Sequence, residues 1–112
     1  MLIYKIFRAD EMAAFLDAKE TLGAPIDLAD GYVHMSTADQ VGGTLAKHFA
    51  GEENLTLLAI EADTLGDDLK WEVSRGDALF PHLCRALRLD DVVWHKPLTT
   101  ADDPSGFAPI WR

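Results

Sequence analysis

The sequence predicts an α+β domain, and three observations predict it. Strand-like and amphipathic helix-like segments are mixed along the chain without the strict strand–helix–strand rhythm of a parallel α/β sheet. One segment, 55–61, is apolar at both alternations until Glu61, as a strand covered on both faces should be. The chain has 112 residues, 48% of them apolar and 26% charged, which suits one domain with one core and is too apolar for a disordered chain.

Each element follows from its residue types. Residues 2–7, LIYKIF, are dense in β-branched and aromatic side chains and read as a strand. Asp10 is placed to cap a helix in which Met12, Phe15, Leu16 and Lys19 share a stripe. Gly23 and Pro25 close that helical region, and Leu22–Gly31 reads as a loop. Residues 32–36, YVHMS, form a second strand, followed by a helix from Ala38 to Phe49 whose start, Thr37-Ala-Asp-Gln40, has capping-box spacing. Val41, Leu45 and Phe49 recur every four residues, as one buried face requires. Gly42 and Gly43 inside that helix each cost ~1 kcal/mol relative to Ala, which suggests close approach of another backbone or a ligand.

After the strand at 55–61, Asp63–Asp68 is turn chemistry. Residues 69–74, LKWEVS, alternate, with Leu69, Trp71 and Val73 on one side and Lys70, Glu72 and Ser74 on the other. Gly76–Leu83 reads as a loop bearing His82, and 83–89 is ambiguous. Val92–His95 is a last strand ended by Pro97. Residues 1–98 then form one domain, and the tail at 99–112, polar until Phe107, Ile110 and Trp111, is expected to dock on it.

Charge and cysteine usage narrow the function classes. Ten basic residues against nineteen acidic ones give a net charge of −9, which disfavours nucleic acid and anionic bilayers as partners. A single cysteine, Cys84, excludes an intrachain disulfide and fits a reducing compartment; its apolar neighbours suggest a packed thiol. The N-terminus meets charge within five residues and has neither signal-peptide nor membrane-span character. A cytoplasmic protein with a small-molecule ligand is the expectation, and the sequence does not fix the oligomeric state.

Three segments carry candidate chemistry. In YVHMS, Tyr32, His34 and Ser36 point away from Val33 and Met35, which form the natural core face. The helix start that follows offers free N–H groups to an anion; a backbone-satisfied histidine beside a plain cap is the alternative. Glu72 lies on the polar side of its strand, as a functional base or a solvated residue paired with Lys70 or Arg75. His82 sits in the third segment, where a loop position favours function or simple exposure. At least twelve residues separate any two of the four histidines, so no close ligand pair suggests a metal, and none is expected. No Gly-x-Gly-x-x-Gly or Walker loop occurs, nor a Gly-x-Ser-x-Gly elbow.

Taken together, Gly31-Tyr-Val-His-Met-Ser-Thr-Ala-Asp-Gln40, Lys70-Trp-Glu72 and Phe80-Pro-His-Leu83 resemble the signature of a family of small bacterial proteins catalogued as domain of unknown function 952. The resemblance runs from about Leu2 to Leu98. Cys84 departs from it, standing where a tyrosine is common. The resemblance implies an ADP-ribosyltransferase-like fold, with a small split antiparallel or mixed sheet, two or three helices and a cleft. It also implies NAD or a related nucleotide as ligand, and ADP-ribose transfer or hydrolysis as the candidate reaction; a noncatalytic sensing or interaction module is the alternative. On that reading His34, Glu72 and His82 are the candidate catalytic residues, with His34 and Glu72 as the central pair. Tyr32, His34, Ser36, Thr37, Gln40 and Arg75 are the candidate cofactor-binding residues.

Overall fold

A computed structural model describes residues 1–73 and 78–98 of the chain. The elements run β1 (Leu2–Phe7), α1 (Ala9–Ala18), β2 (Glu20–Thr21), α2 (Pro25–Asp30), β3 (Val33–His34), α3 (Ala38–His48), β4 (Leu55–Glu61), β5 (Leu69–Val73), β6 (Leu79–Leu83), β7 (Leu87–Arg88) and β8 (Val92–Leu98). Every strand pairing is antiparallel, in sheets ordered β1-β4-β8, β2-β7 and β3-β6-β5. The class is α+β.

The central strand β4 explains the doubly apolar pattern of 55–61. Leu58 and Ile60 face a cluster built with Phe15, Val33, Met35 and Leu83, while Leu55, Leu57 and Ala59 face Val41 and Leu45 of α3 and Phe49 at its C-cap. Burying each of the larger of these side chains contributes about 1.5–3 kcal/mol. In β1, Ile3 and Phe7 join the first cluster and Tyr4 and Ile6 the second, and Phe7 meets Phe15 edge-to-face at 5.8 Å.

The two three-stranded sheets are joined through residues 33–36. Met35 N donates to Pro81 O at 3.0 Å, whereas Ser36 exchanges two backbone bonds with Tyr4, at 2.7 and 2.9 Å. Pro81 has no N–H to return to Met35, so the β3 ladder stops at His34 and the chain passes to the other sheet.

Several sequence expectations need correction. Arg8, not Asp10, is the N-cap of α1, and its backbone N–H donates to Glu11 Oε1 at 2.8 Å. That helix ends at Ala18 through Lys19 in a left-handed conformation, and Leu16 is exposed. The segment read as a loop contains α2, with Pro25 at its first turn and Gly31 closing it, the usual asymmetry of helix ends. Among the described residues nothing lies within 4 Å of a Cβ built at Gly42, so no neighbouring backbone approaches it. Gly76–Leu83 is not wholly loop: Leu79–Leu83 is the middle strand of its sheet. Its proline is tolerated there because only the short β3 ladder loses a bond. Pro97 does not end β8, which lies at a sheet edge where a missing N–H is accommodated. Cys84 is exposed rather than packed. Trp71 and Val73 are exposed as well, so only Leu69 of their alternation reaches the core. The expected docking of the tail at 99–112 lies outside the described residues. No helix among the described residues is long and apolar enough to cross a membrane.

Candidate functional site

The segment 32–36, leading from β3 into α3, forms one wall of a cavity of about 800 Å³. Val33 and Met35 point into the core, which leaves Tyr32, His34 and Ser36 on the cavity side, as the alternation predicts. His34 pairs across the sheet with His82 of β6. Their rings are 5.2 Å apart, and Tyr32 stacks on His82 at 4.2 Å while meeting His34 at 4.6 Å. The three rings form one aromatic wall.

Carboxylates hold both histidines. His34 Nδ1 lies 2.5 Å from Asp27 Oδ1, and its Nε2 lies 3.0 Å from Asp30 Oδ2. A carboxylate accepts and does not donate, so a neutral ring satisfies one of these contacts and a protonated ring both. His82 Nδ1 contacts Glu72 Oε1 at 2.9 Å. Glu72 is half exposed and reaches in from β5, whereas His82 is buried.

Behind His34 lies a buried ion pair. Lys5 alternates with Ile3 and Phe7 on an apolar face of β1, so its ammonium needs an internal partner. Nζ donates to Asp27 Oδ2 at 2.6 Å and to His34 O at 3.0 Å. Asp27 also accepts from Ala24 N at 2.8 Å and His34 N at 3.0 Å. Burial opposes the Asp27 charge, but the Lys5 ammonium and the bonds from Lys5 and His34 outweigh it and hold the carboxyl below its ordinary range. Burial pushes the Lys5 ammonium down despite the pull of Asp27.

The remaining cavity wall comes from other elements. Arg8 lines it from the start of α1, its guanidinium bonded to both Glu52 oxygens at 2.7 and 3.0 Å and lying 4.7 Å from the Phe49 ring centre. The middle and last turn of α3 contribute Thr44, Lys47 and His48. Ser36 Oγ and Thr44 Oγ1 share a bond of 2.9 Å.

The structure therefore brings Tyr32, His34, Ser36 and His82 together on the cavity, with Glu72 attached through His82. The expected central pair is rearranged: Glu72 partners His82, and His34 partners Asp27 and Asp30. His82 is a strand residue rather than the loop residue the sequence suggests. Thr37 and Gln40 are not on the cavity wall. Gln40 Oε1 accepts from Thr37 N at 3.0 Å and its Nε2 donates to Leu79 O at 2.8 Å, so its amide ties α3 to β6. Arg75 lies outside the described residues.

Sequence reasoning missed Lys5, Asp27 and Asp30. The available signals were a lone lysine in an apolar strand and an acidic pair inside Pro25–Gly31, a segment with the ends of a short helix. Among the described residues no group of three or more His, Cys, Asp or Glu is placed to hold a metal ion.

The chain is similar to protein CC0527 from Caulobacter crescentus. The crystal structure of that protein matches with a TM-score of 0.86 at 47% identity, over 88% of this chain and 87% of that one. Its solution NMR structure matches with a TM-score of 0.78 at 48% identity, over 87% and 84%. No curated protein matches. The profile of a family described as protein of unknown function (DUF952) matches residues 6–95, and the chain belongs to that family.

Proposed function

We propose that this member of the DUF952 family binds NAD or a related ADP-ribose-containing nucleotide in the cavity beside β3. The observation that carries the reading is the wall of Tyr32, His34 and His82, fixed from behind by carboxylates, on a cavity of about 800 Å³. That volume lies within the range of small-molecule sites, which combine apolar or aromatic walls with a few oriented polar groups. The aromatic wall suits a planar base or pyridinium ring, and Ser36 and Asp30 suit ribose hydroxyls. Lys47 and Arg8 suit phosphate oxygens.

The His82–Glu72 contact favours turnover by an ADP-ribosyltransferase-like reaction. With the proton on Nδ1 and held by Glu72, His82 Nε2 is an acceptor and can take a proton from an attacking water. The bond from ribose C1′ to nicotinamide breaks, and its electron pair leaves with the neutral amide. Water adds at C1′ and gives its proton to His82, which releases it to solvent. A second reading, a binding module without turnover, is favoured by the engagement of both His34 ring nitrogens with carboxylates. His34 then positions the ligand and transfers nothing.

Calorimetric titration with NAD and with ADP-ribose tests the reading. Saturable heat is expected in wild type and lost in His34→Ala and Tyr32→Ala, each shown to be folded by circular dichroism. No heat with either ligand in folded wild type sinks the nucleotide reading. Nicotinamide release then separates its two forms. An enzyme loses release but retains binding in Glu72→Gln, whereas a binding module gives no release even as wild type.

A further inference from the structure

We propose that β5 is a pairing edge for a second copy of this chain, in antiparallel register centred on Trp71, and that pairing brings the partner's Lys70 onto Glu72. In the order β3-β6-β5, β5 stands at the edge among the described residues. Trp71 is 40% exposed and Val73 65%, and Leu79, which faces Val73 across the ladder, is 52% exposed. Among the described residues no strand lies beyond β5, and three large apolar side chains exposed on one face at and beside that edge form a surface ready to add a strand.

The backbone fixes which residues can make that contact. In an antiparallel ladder the N–H and C=O of one residue point to the same side, and the side alternates along the strand. Cys84 N donates to Asp68 O at 2.7 Å, so Asp68 turns its carbonyl toward β6. Pro81 gives its carbonyl to Met35, away from β5, and Pro81 faces Trp71. Both observations assign the same phase: Lys70 and Glu72 bond inward to β6, while Leu69, Trp71 and Val73 turn their backbone groups outward. Centring on Trp71 sets outward groups against outward groups. Trp71 meets the partner's Trp71, and Leu69 meets the partner's Val73. A slip by one residue would oppose outward groups to inward ones and lose the ladder.

Side chains choose among the remaining registers. Centred on Trp71, Lys70 stands opposite the partner's Glu72, and Glu72 opposite the partner's Lys70. The neighbouring registers that keep the ladder oppose lysine to lysine or glutamate to glutamate, which is unfavourable. Leu69-Lys70-Trp71-Glu72-Val73 is thus its own antiparallel complement in one register. Lys70 and Glu72 lie on the cavity-side face of the sheet, where Lys70 pairs in register with His82. Since Glu72 holds His82 Nδ1, the partner's Lys70 adds a cation to the carboxylate that orients the buried histidine. This inference stands apart from the nucleotide reading, because it needs no ligand.

Two short strands predict a weak, concentration-dependent dimer. Sedimentation equilibrium from micromolar to millimolar protein should show self-association of wild type. Lys70→Glu opposes carboxylates at both symmetry-related positions and should weaken it by about tenfold or more. The exchange Lys70→Glu with Glu72→Lys recreates both opposite-charge pairs and should restore it. Circular dichroism verifies the fold of each variant. Wild type monomeric throughout, or a dimer indifferent to Lys70→Glu, overturns the proposal. A folded exchange variant that stays as weak as Lys70→Glu overturns the register.

Discussion

A carboxylate whose side chain is withdrawn from solvent needs its lone pairs engaged, and Asp27 has Lys5, Ala24 and His34 arranged around it. The carboxylate joins β1, the start of α2 and β3 at one point, so the orientation of His34 depends on a residue behind the cavity wall. Asp27→Asn keeps the shape but leaves the Lys5 ammonium buried without its counter-charge. We expect a loss of about 3–5 kcal/mol in urea unfolding; an unchanged midpoint would show that the pair contributes nothing. Gly23 belongs to the same arrangement. Its φ is +104°, and a Cβ there would lie 2.2 Å from Asp27 Oδ2. Gly23→Ala therefore combines backbone strain with a collision and should cost about 1–3 kcal/mol, with the His34 ring resonances shifted in NMR spectra. A neutral substitution with unmoved resonances would mean that the turn relaxes away from Asp27.

At the scale of elements, α3 shows how local sequence and packing cooperate. Its capping spacing is legible in Thr37–Gln40, and its buried face in Val41 and Leu45, continued by Phe49 at the C-cap. The second use of the Gln40 amide, on Leu79 O, is a contact 39 residues away that no local pattern reveals. Gln40→Ala loses the cap and this tether together and should cost about 1–2 kcal/mol by thermal or urea denaturation. If Gln40→Ala matches wild type, both bonds are replaced by water at no net cost. The strand β6 shows the opposite balance. Phe80-Pro-His-Leu reads as turn chemistry because proline normally avoids central strands, yet Pro81 aims only its carbonyl at β3. The short helix α2 was legible in principle from Pro25 and Gly31, but six residues carry too little periodicity to announce a helix.

For the whole molecule, the Asp27 and Asp91 carboxyls, both held below their ordinary range, set an expectation for the acid side of stability. Burial raises both; the Lys5 and His34 contacts at Asp27, and the Arg85 and Arg88 contacts at Asp91, outweigh it. A carboxyl depressed in the folded state contributes stability that is present above its ordinary value and lost as pH falls through the folded value. Stability should therefore be level near neutrality and decline once pH drops below about 4. The urea midpoint followed from pH 7 to pH 3 checks this, with a shallower decline expected in Asp27→Asn. An identical decline in that variant would assign acid sensitivity to other carboxyls.

By itself the sequence determined the α+β class, the doubly covered strand at 55–61, the capped helix after residue 37 and the sidedness of YVHMS. All of these are written in short-range periodicity, because a strand or helix repeats its burial every few residues. The same periodicity placed Tyr32, His34 and Ser36 away from the core. Only the tertiary structure decided their partners. Lys5 meets Asp27 across 22 residues and His82 faces His34 across the β3–β6 pair. Glu72 reaches His82 instead of His34 because strand order and register, rather than side-chain pattern, set which carboxylate stands beside which ring. Such pairings depend on how separate segments are brought together, and no window of local sequence contains that information.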